Sequence, residues 1–233
     1  MSKDKVETNN VRSLWQQKWS NYITITKLNS STAHITANNY IKYGNISNGM
    51  KILDLGCGHG RITKLLSLKV PLLCIFGIDM TFKLLSNFLL KTGDNGCKLK
   101  LMCADITNIP LKDDVFDVVV SSRVLHYLPD PIDGILEAHR VLRAKGKIIV
   151  TIPNKMNPIK YFTYKMAKLY TPFEIVNLMR SCGFRIINVS SICFFPSTTY
   201  FNKFGSIFEI LGKIPCIKYL GGQAIIVGEK CNE

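Results

Sequence analysis

Residues 50–61 read Met-Lys-Ile-Leu-Asp-Leu-Gly-Cys-Gly-His-Gly-Arg, and this stretch decides the fold. Its apolar run ends on Asp54, as a buried parallel strand does when its last side chain faces a ligand. Gly56, Gly58 and Gly60 alternate directly afterwards, a spacing that allows a tight turn and a close approach of the backbone to a bound molecule. Apolar residues then recur at helical spacing. The stretch predicts a strand, a glycine turn and a helix, with an ordinary glycine-rich turn as the alternative.

Acidic residues also close the next two predicted strands. The second apolar run stops on Asp79, and the third, Lys98 to Cys103, leads into Asp105. An acid at the tip of the second strand, about twenty residues beyond the glycines, is placed to bind a ribose diol. A single exposed Asp is more often a helix cap. Three acids after three successive strands instead favour a ligand site at the carboxyl edge of an open α/β sheet.

A resemblance to a known family rests on the pattern Leu53-Asp54-Leu55-Gly56-Cys57-Gly58-His59-Gly60. This pattern resembles the cofactor loop of the class I S-adenosylmethionine-dependent methyltransferases, closest to the ubiquinone and menaquinone biosynthesis type and its small-molecule relatives. The match is close over residues 48–153 and looser, by layout, over 171–230. It implies an α/β, Rossmann-like, doubly wound sheet of seven strands in a three-layer sandwich, with six parallel strands and an antiparallel seventh. It also implies S-adenosyl-L-methionine as the cofactor.

The resemblance implies roles for individual residues as well. Asp54 and the glycine backbone would hold the methionine moiety, and Asp79 would take the ribose hydroxyls. Met80 would pack on the adenine, Asp105 would receive the adenine amino group, and the Ile106 amide would bind a ring nitrogen. The cofactor-binding residues predicted in this way are Asp54, Gly56, Cys57, Gly58, Gly60, Asp79, Met80, Asp105, Ile106 and Ser121.

The charge of Asp54 supports the same cofactor on physical grounds. A dinucleotide-binding fold presents its glycine turn to two phosphates, usually with no acid at the strand tip. A carboxylate suits a ligand that carries an ammonium and a sulfonium group. An NAD-dependent oxidoreductase is therefore the poorer interpretation.

The composition of the chain narrows the kinds of protein that it can be. The chain has 233 residues, of which 47% are hydrophobic, and this suits one α/β domain. No run approaches twenty uninterrupted apolar residues and the N-terminus lacks a signal core, so no membrane span is expected, while peripheral membrane contact stays open. The eight cysteines include no C-x-x-C pair. They predict free thiols, no metal site and a reducing, cytoplasmic location.

The net charge of +14 raises the alternative of a nucleic-acid methyltransferase. Lysine supplies 23 of the 30 basic residues, and these lysines are spread along the chain, whereas nucleic-acid readers concentrate arginine and aromatic residues. Base-modifying relatives also carry motifs that are missing here. The fourth predicted strand is followed by Ser121-Ser122-Arg123-Val124 and not by an Asn/Asp-Pro-Pro-Tyr motif, and Pro153 precedes Asn154 and not a cysteine. Solvated surface is the favoured interpretation of the charge.

The pattern along the chain predicts a single domain over 1–233 with three kinds of segment. Residues 1–46 are predicted to be helical; the resemblance implies that this segment lies over the cofactor as a lid, and the alternative is that it packs on the body of the domain. Residues 48–153 are the predicted cofactor-binding core, and 154–170 and 190–221 are predicted inserts on the ligand edge. The residues predicted to contact the acceptor are Trp19, Tyr22, Tyr161 and Phe195. The aromatic residues in the inserts have two interpretations. They form a hydrophobic acceptor pocket or a face that contacts a membrane surface, or they pack the two inserts against each other.

Several element boundaries follow from local signals. Thr171 and Pro172 predict a helix start, with Glu174 in the first turn. A helix is expected over Leu136 to Leu142, before the fifth strand. Phe184 to Val189 is expected as the sixth strand, and Ala224 to Gly228 as an antiparallel seventh.

His126, just past the fourth predicted strand, is the candidate general base because its intrinsic pKa is near neutral. The alternative is a structural histidine in a Leu-His-Tyr-Leu turn. Methyl transfer is an in-line displacement for which alignment supplies much of the barrier reduction. The sequence thus predicts a methyltransferase acting on a small-molecule, possibly hydrophobic, acceptor. A cofactor-binding regulatory protein on the same fold is the alternative, and the acceptor atom and oligomeric state stay open.

Overall fold

The computed structural model describes residues 31–89, 96–157, 168–193, 214 and 218–231. Strands and helices alternate through most of this part of the chain. Its elements are α1 (Ser31–Gly44), β1 (Lys51–Leu55), α2 (Arg61–Lys69), β2 (Cys74–Asp79), α3 (Phe82–Leu89), β3 (Lys98–Cys103), β4 (Phe116–Ser122), a 3₁₀ turn (Leu125–Tyr127), α4 (Pro131–Val141), β5 (Leu142–Pro153), α5 (Pro172–Ser181), β6 (Phe184–Ile192) and β7 (Gln223–Lys230).

The described strands form one seven-stranded sheet in the order β3-β2-β1-β4-β5-β7-β6. Neighbouring strands from β3 through β5 pair in parallel, and β7 runs antiparallel to both β5 and β6. The predicted fold class is confirmed, including the single antiparallel strand. Because the parallel strands end at one edge, the residues after β1, β2, β3 and β4 share that edge.

Helices cover both faces of the sheet and bury two apolar layers. On one face, α1 and α2 contribute Ala37, Tyr40 and Leu66 to the core. On the other face, α4 and α5 pack Ile135 and Ile175 against the sheet. This arrangement is the three-layer sandwich that the resemblance implied.

The first turn of α5 forms as the sequence predicts. Thr171 is the N-cap, and its hydroxyl oxygen accepts from the Glu174 amide at 3.2 Å, while the Glu174 carboxylate accepts from the Thr171 amide at 2.6 Å. Pro172 takes the first helical position, where no amide hydrogen is needed. The reciprocal hydrogen bonds satisfy two helix-end amides and explain why the helix begins here.

Several boundaries differ from the sequence prediction. The helix before β5 begins at Pro131, after the N-cap Asp130, and ends at Val141, so Leu142 is the first residue of β5. β6 continues to Ile192 and β7 runs from Gln223 to Lys230, because the two strands pair along these residues. Hydrogen bonds to a neighbouring strand thus extend each of these strands beyond its local apolar pattern.

The predicted helical segment 1–46 is described from residue 31 onward, where it forms α1. The Tyr40 hydroxyl on this helix donates to the carbonyl oxygen of Ser121 and lies 2.9 Å from the Thr151 hydroxyl. α1 is thereby hydrogen-bonded to the carboxyl ends of β4 and β5. Trp19 and Tyr22 lie outside the described residues.

Within the described ranges, no helix combines the length and the apolar character needed to cross a membrane. The described cysteines are free thiols: Cys57, Cys74, Cys97, Cys103, Cys182, Cys193 and Cys231. The same part of the chain contains no cluster of His, Cys, Asp and Glu side chains that could hold a metal ion.

Candidate cofactor and acceptor site

The glycine turn between β1 and α2 depends on two positions without a side chain. Gly56 and Gly60 have φ of +68° and +76°, which side-chain-bearing residues rarely adopt. A Cβ at Gly56 would lie 2.3 Å from the Val124 side chain, and one at Gly60 would lie 2.1 Å from the ring of Phe88. The turn is therefore closely covered by the residues after β4 and by α3.

Hydrogen bonds to β2 fix the start of this turn. The amides of Gly56 and Cys57 both donate to the carbonyl oxygen of Ile78, at 2.7 and 3.0 Å. The Cys57 thiol is buried against Gly77, where an added Cβ would lie 2.8 Å from the sulfur. Burial raises the pKa of this thiol well above its ordinary value, so Cys57 serves here as a small apolar side chain.

Asp54 lies at the end of β1 and is only 2% exposed. Its carboxylate accepts a hydrogen bond from the Thr63 hydroxyl on α2 at 2.5 Å. Burial raises the pKa of Asp54 to about 7, and the nearby carboxylate of Asp79 acts in the same direction, while Thr63 and Arg61 oppose it. Because burial disfavours the ionised form of this carboxyl, a ligand group with a positive charge would stabilise that form strongly.

Asp79 ends β2 and contacts the glycine turn directly. One of its oxygens accepts from the Gly58 amide at 2.9 Å, and the other accepts from the Thr81 amide at 2.8 Å. Burial raises its pKa despite these hydrogen bonds. Each carboxylate oxygen has a second lone pair, so Asp79 can also accept from a ligand hydroxyl.

Asp105 follows β3 at the same edge. One of its oxygens accepts from the Thr107 amide at 2.9 Å, which forms a local turn. The Ile106 side chain is buried in the core below, and Met80 at the end of β2 is half-buried. The structure thus brings the predicted cofactor residues on β1, β2 and β3 to one edge, and their roles stay predictions.

Sequence reasoning missed a cluster that holds the loop after β3. The Arg140 cluster consists of Arg140, Glu137 and Asp113: the guanidinium donates to both oxygens of Glu137 at 2.7 and 2.8 Å, and to Asp113 at 2.5 Å. Arg140 also donates to the carbonyl oxygens of Ile109 and Leu111, both at 2.8 Å. The guanidinium thus makes five hydrogen bonds, two to Glu137 on the same helix and three to a loop that also carries the predicted adenine contacts.

Ser121 lies near the end of β4, in the middle of the sheet, and His126 follows this strand. Ser121 is fully buried, and its carbonyl oxygen is the acceptor for Tyr40. His126 lies in the 3₁₀ turn and is 1% exposed, with its ring 4.0 Å from that of Tyr127. Burial, together with the charge of Arg123, lowers the pKa of His126 to about 3. The imidazole is therefore neutral at physiological pH and a weak proton acceptor.

The predicted acceptor contacts lie outside the described residues: Trp19, Tyr22, Tyr161 and Phe195. The ends of the two predicted inserts are described, and they are joined by buried polar side chains that sequence reasoning did not single out. We name Asn154, Asn157 and Ser191 the Asn154 cluster.

The Asn154 cluster binds the main chain just before β7. The Asn154 amide group donates to the carbonyl oxygens of Tyr219 and Gly221 at 2.7 and 2.8 Å. Asn157 donates to the Leu220 carbonyl at 2.8 Å. Ser191 donates to the Lys218 carbonyl at 2.7 Å and accepts from the Gly221 amide at 2.6 Å. The ends of both inserts therefore meet beside the carboxyl ends of β5 and β6.

A model of the methyltransferase domain matches residues 53–150. An uncharacterised protein of Methanocaldococcus jannaschii is 31% identical over 146 residues, which cover 63% of this chain and 60% of that protein. The demethylmenaquinone methyltransferase of Chlamydia muridarum is 26% identical over 174 residues, 73% of each chain. The chain thus spans less than two thirds of the length of the Methanocaldococcus relative.

A solved structure shows the same fold. A chain in the complex between the Haloferax volcanii Trm112 methyltransferase activator and a methyltransferase superposes with a TM-score of 0.70, at 18% identity. The superposition covers 96% of this chain and 97% of that one. Residues 53–150, which run from β1 into β5, thus resemble a methyltransferase domain, and the solved structure shows the same fold.

Proposed function

We propose that the chain transfers a methyl group from S-adenosylmethionine to a small-molecule acceptor by in-line displacement. The observation that carries the proposal is the position of Asp54, Asp79 and Asp105, which end or follow three adjacent parallel strands. Two of these carboxyls are largely buried beside a turn whose glycines admit no Cβ. This set of hydrogen-bond acceptors fits a ligand with an ammonium, a ribose diol and an adenine amino group.

The chain's own contribution to the reaction is alignment. The cofactor supplies a methyl group on a sulfonium, which is already an activated carbon. Asp54 and the turn fix one end of the bound molecule and Asp79 fixes its middle, while the residues after β4 limit where an acceptor atom can approach. Orientation of this kind can account for several kcal/mol of barrier reduction, on the order of 7 or more in favourable cases.

A small-molecule acceptor is supported by the similarity to a relative named demethylmenaquinone methyltransferase and by the dispersed lysines. In this proposal residues 1–46, 154–170 and 190–221 form the acceptor side of a single domain, with Trp19, Tyr22, Tyr161 and Phe195 contacting the acceptor. The Asn154 cluster supports the assignment of the two inserts, because it brings their ends to the ligand edge.

Asp79→Ala is expected to weaken binding of S-adenosylmethionine by about 1–3 kcal/mol, the cost of losing a buried hydrogen bond to an ionised group. Titration calorimetry measures the change. Asp133→Ala, at an exposed position in the first turn of α4, is the matched control and should bind the cofactor as the unmodified chain does. Equal affinities for NAD and S-adenosylmethionine, or no effect at Asp79, would contradict the cofactor assignment.

Transfer itself is tested with methyl-labelled cofactor and an untargeted search for metabolites that gain one methyl group. A labelled small molecule supports the proposal. Cofactor binding without any labelled product would favour the regulatory alternative, and label in nucleic acid would favour a nucleic-acid methyltransferase.

Replacement of His126 by alanine separates its two interpretations. A general base would lose turnover by about 10²–10⁴-fold at unchanged stability. Burial favours the structural alternative, so we expect a lower melting temperature and a turnover within about tenfold of the unmodified chain. Turnover and melting temperature are measured on one preparation.

The pH dependence of stability provides the control for His126. The unfolded chain binds a proton at this residue below its ordinary pKa of 6.5, whereas the folded chain does so only near pH 3. Burial of the neutral His126 side chain therefore makes its full contribution to the free energy of unfolding above pH 6.5, and this contribution is lost as the pH falls toward 3. His126→Leu should reduce this acid-dependent loss, and an unchanged pH profile would show that the residue is not buried as described.

A further inference from the structure

The side chain of Gln223 carries a buried oxygen atom that forms no hydrogen bond with the described residues. Its side chain is only 6% exposed, and its carbonyl oxygen Oε1 has no hydrogen-bond partner among the residues that the structure describes. Most buried side-chain oxygens in proteins are paired, so a buried one left unpaired calls for an explanation. A bound group that donates a hydrogen bond is one such explanation.

The register of the sheet places Gln223 at the carboxyl edge. It opens β7, directly opposite Pro153 at the end of β5 and Ile192 at the end of β6. Opposed residues in neighbouring strands point to the same face, so Gln223 is flanked on both sides by apolar side chains. Neither neighbour can pair with its amide oxygen, and neither could balance a charged ligand group.

One further unpaired hydroxyl lies in the same half of the edge. Tyr170 forms a bridge with Asn154 just after β5, and its hydroxyl has no hydrogen-bond partner within the described residues. In contrast, the side chains of Asp54 and Asp79, in the cofactor half, are paired within the chain. Gln223 Oε1 and the Tyr170 hydroxyl are thus two unpaired groups on the side where the proposed acceptor would approach.

We propose that Gln223 Oε1 accepts a hydrogen bond from an uncharged hydroxyl group of the methyl acceptor. The inference rests on the proposed function and adds the chemical class that the acceptor side recognises. An amide oxygen between apolar neighbours selects a neutral donor, because an anion would meet the oxygen's own negative dipole and an ammonium would lack a counter-charge. Gln223 is then a specificity-determining residue.

The first arm of the test measures stability without any ligand. Gln223→Met keeps the shape of the side chain but removes the unpaired oxygen, so its melting temperature should equal or exceed that of the unmodified chain. Ser191→Ala is the matched contrast, because its hydroxyl donates to Lys218 and accepts from Gly221, and this variant should melt lower. If Gln223→Met melts as low as Ser191→Ala, the oxygen is paired within the folded chain and the proposal fails.

The second arm measures recognition by saturation-transfer NMR on the full chain loaded with S-adenosylhomocysteine. The probes are phenol and anisole, catechol and 1,2-dimethoxybenzene, and 1-naphthol and 1-methoxynaphthalene; each methyl ether lacks the donor of its partner. At least one hydroxyl compound should bind about tenfold more tightly than its ether, and Gln223→Met should remove that preference. The absence of any preference in the unmodified chain, or its persistence in the variant, overturns the proposal.

Calorimetry with S-adenosylhomocysteine distinguishes failure of the proposed function from failure of the proposed role of Gln223. Failure of the unmodified chain to bind this product would refute the proposed function itself. Normal binding of the product, combined with equal affinities for hydroxyl compounds and their ethers, would refute only the role of Gln223.

Discussion

Gly60→Ala is expected to destabilise the protein by about 2–5 kcal/mol and to abolish detectable cofactor binding at ordinary temperatures. A left-handed backbone costs a side-chain-bearing residue about 1–2 kcal/mol, and overpacking of a rigid core costs about 1–3 kcal/mol more. Both apply here, because φ is +76° and the new Cβ would lie 2.1 Å from the ring of buried Phe88. Urea unfolding measures the loss.

Gly49→Ala is the control for this substitution. Gly49 also has a positive φ, +84°, but a Cβ there would meet nothing within 4 Å. It should therefore lose only the backbone contribution and leave cofactor affinity unchanged. Equal losses in the two variants would show that α3 does not pack on the glycine turn as the structure describes.

Arg140→Met should lower the free energy of unfolding by about 1.5–3 kcal/mol, the range for hydrogen bonds that involve a charged group. It should also raise the dissociation constant for S-adenosylmethionine by about tenfold, or about 1.4 kcal/mol. The reason is that Arg140 holds the carbonyl oxygens of Ile109 and Leu111, in the loop that carries Asp105. Urea unfolding and calorimetry on the same preparation measure the two effects.

Arg185→Met provides the comparison for Arg140. The Arg185 side chain is exposed and forms one ion pair, with Glu229. Its loss should cost at most about 1 kcal/mol, as exposed pairs do, and should not change cofactor affinity. Arg140→Lys should behave like the Met variant, because an ammonium cannot reproduce the planar five-donor geometry of a guanidinium. Normal affinity in both Arg140 variants would show that the loop is held by other contacts.

The sheet and the glycine turn could be predicted from sequence because their signals are local. Asp54 and the three glycines lie within one short stretch, and the cap of α5 needs only Thr171 and Glu174. The acids after β2 and β3 follow from the same logic, since parallel strands must end at one edge. In these segments the local pattern and the final hydrogen bonds agree.

Other features depend on contacts between distant parts of the chain. Arg140 reaches a loop about thirty residues earlier, and no pattern around it signals that partner. The burial of His126 results from the packing of the turn after β4. Its lowered pKa therefore could not be predicted from the near-neutral intrinsic pKa of histidine. The start of β5 at Leu142 likewise depends on pairing with β4, which overrides helical periodicity.

The Asn154 cluster has a consequence for how relatives of this chain can diverge. Its side chains bind carbonyl oxygens and an amide of the main chain at residues 218–221, and nearly every amino acid supplies those groups. Mutations in the two inserts at positions outside the cluster therefore leave these hydrogen bonds intact. Under the proposed function, the acceptor of a duplicated copy can then change through the inserts, while the strand-end acids keep their proposed role of binding the cofactor.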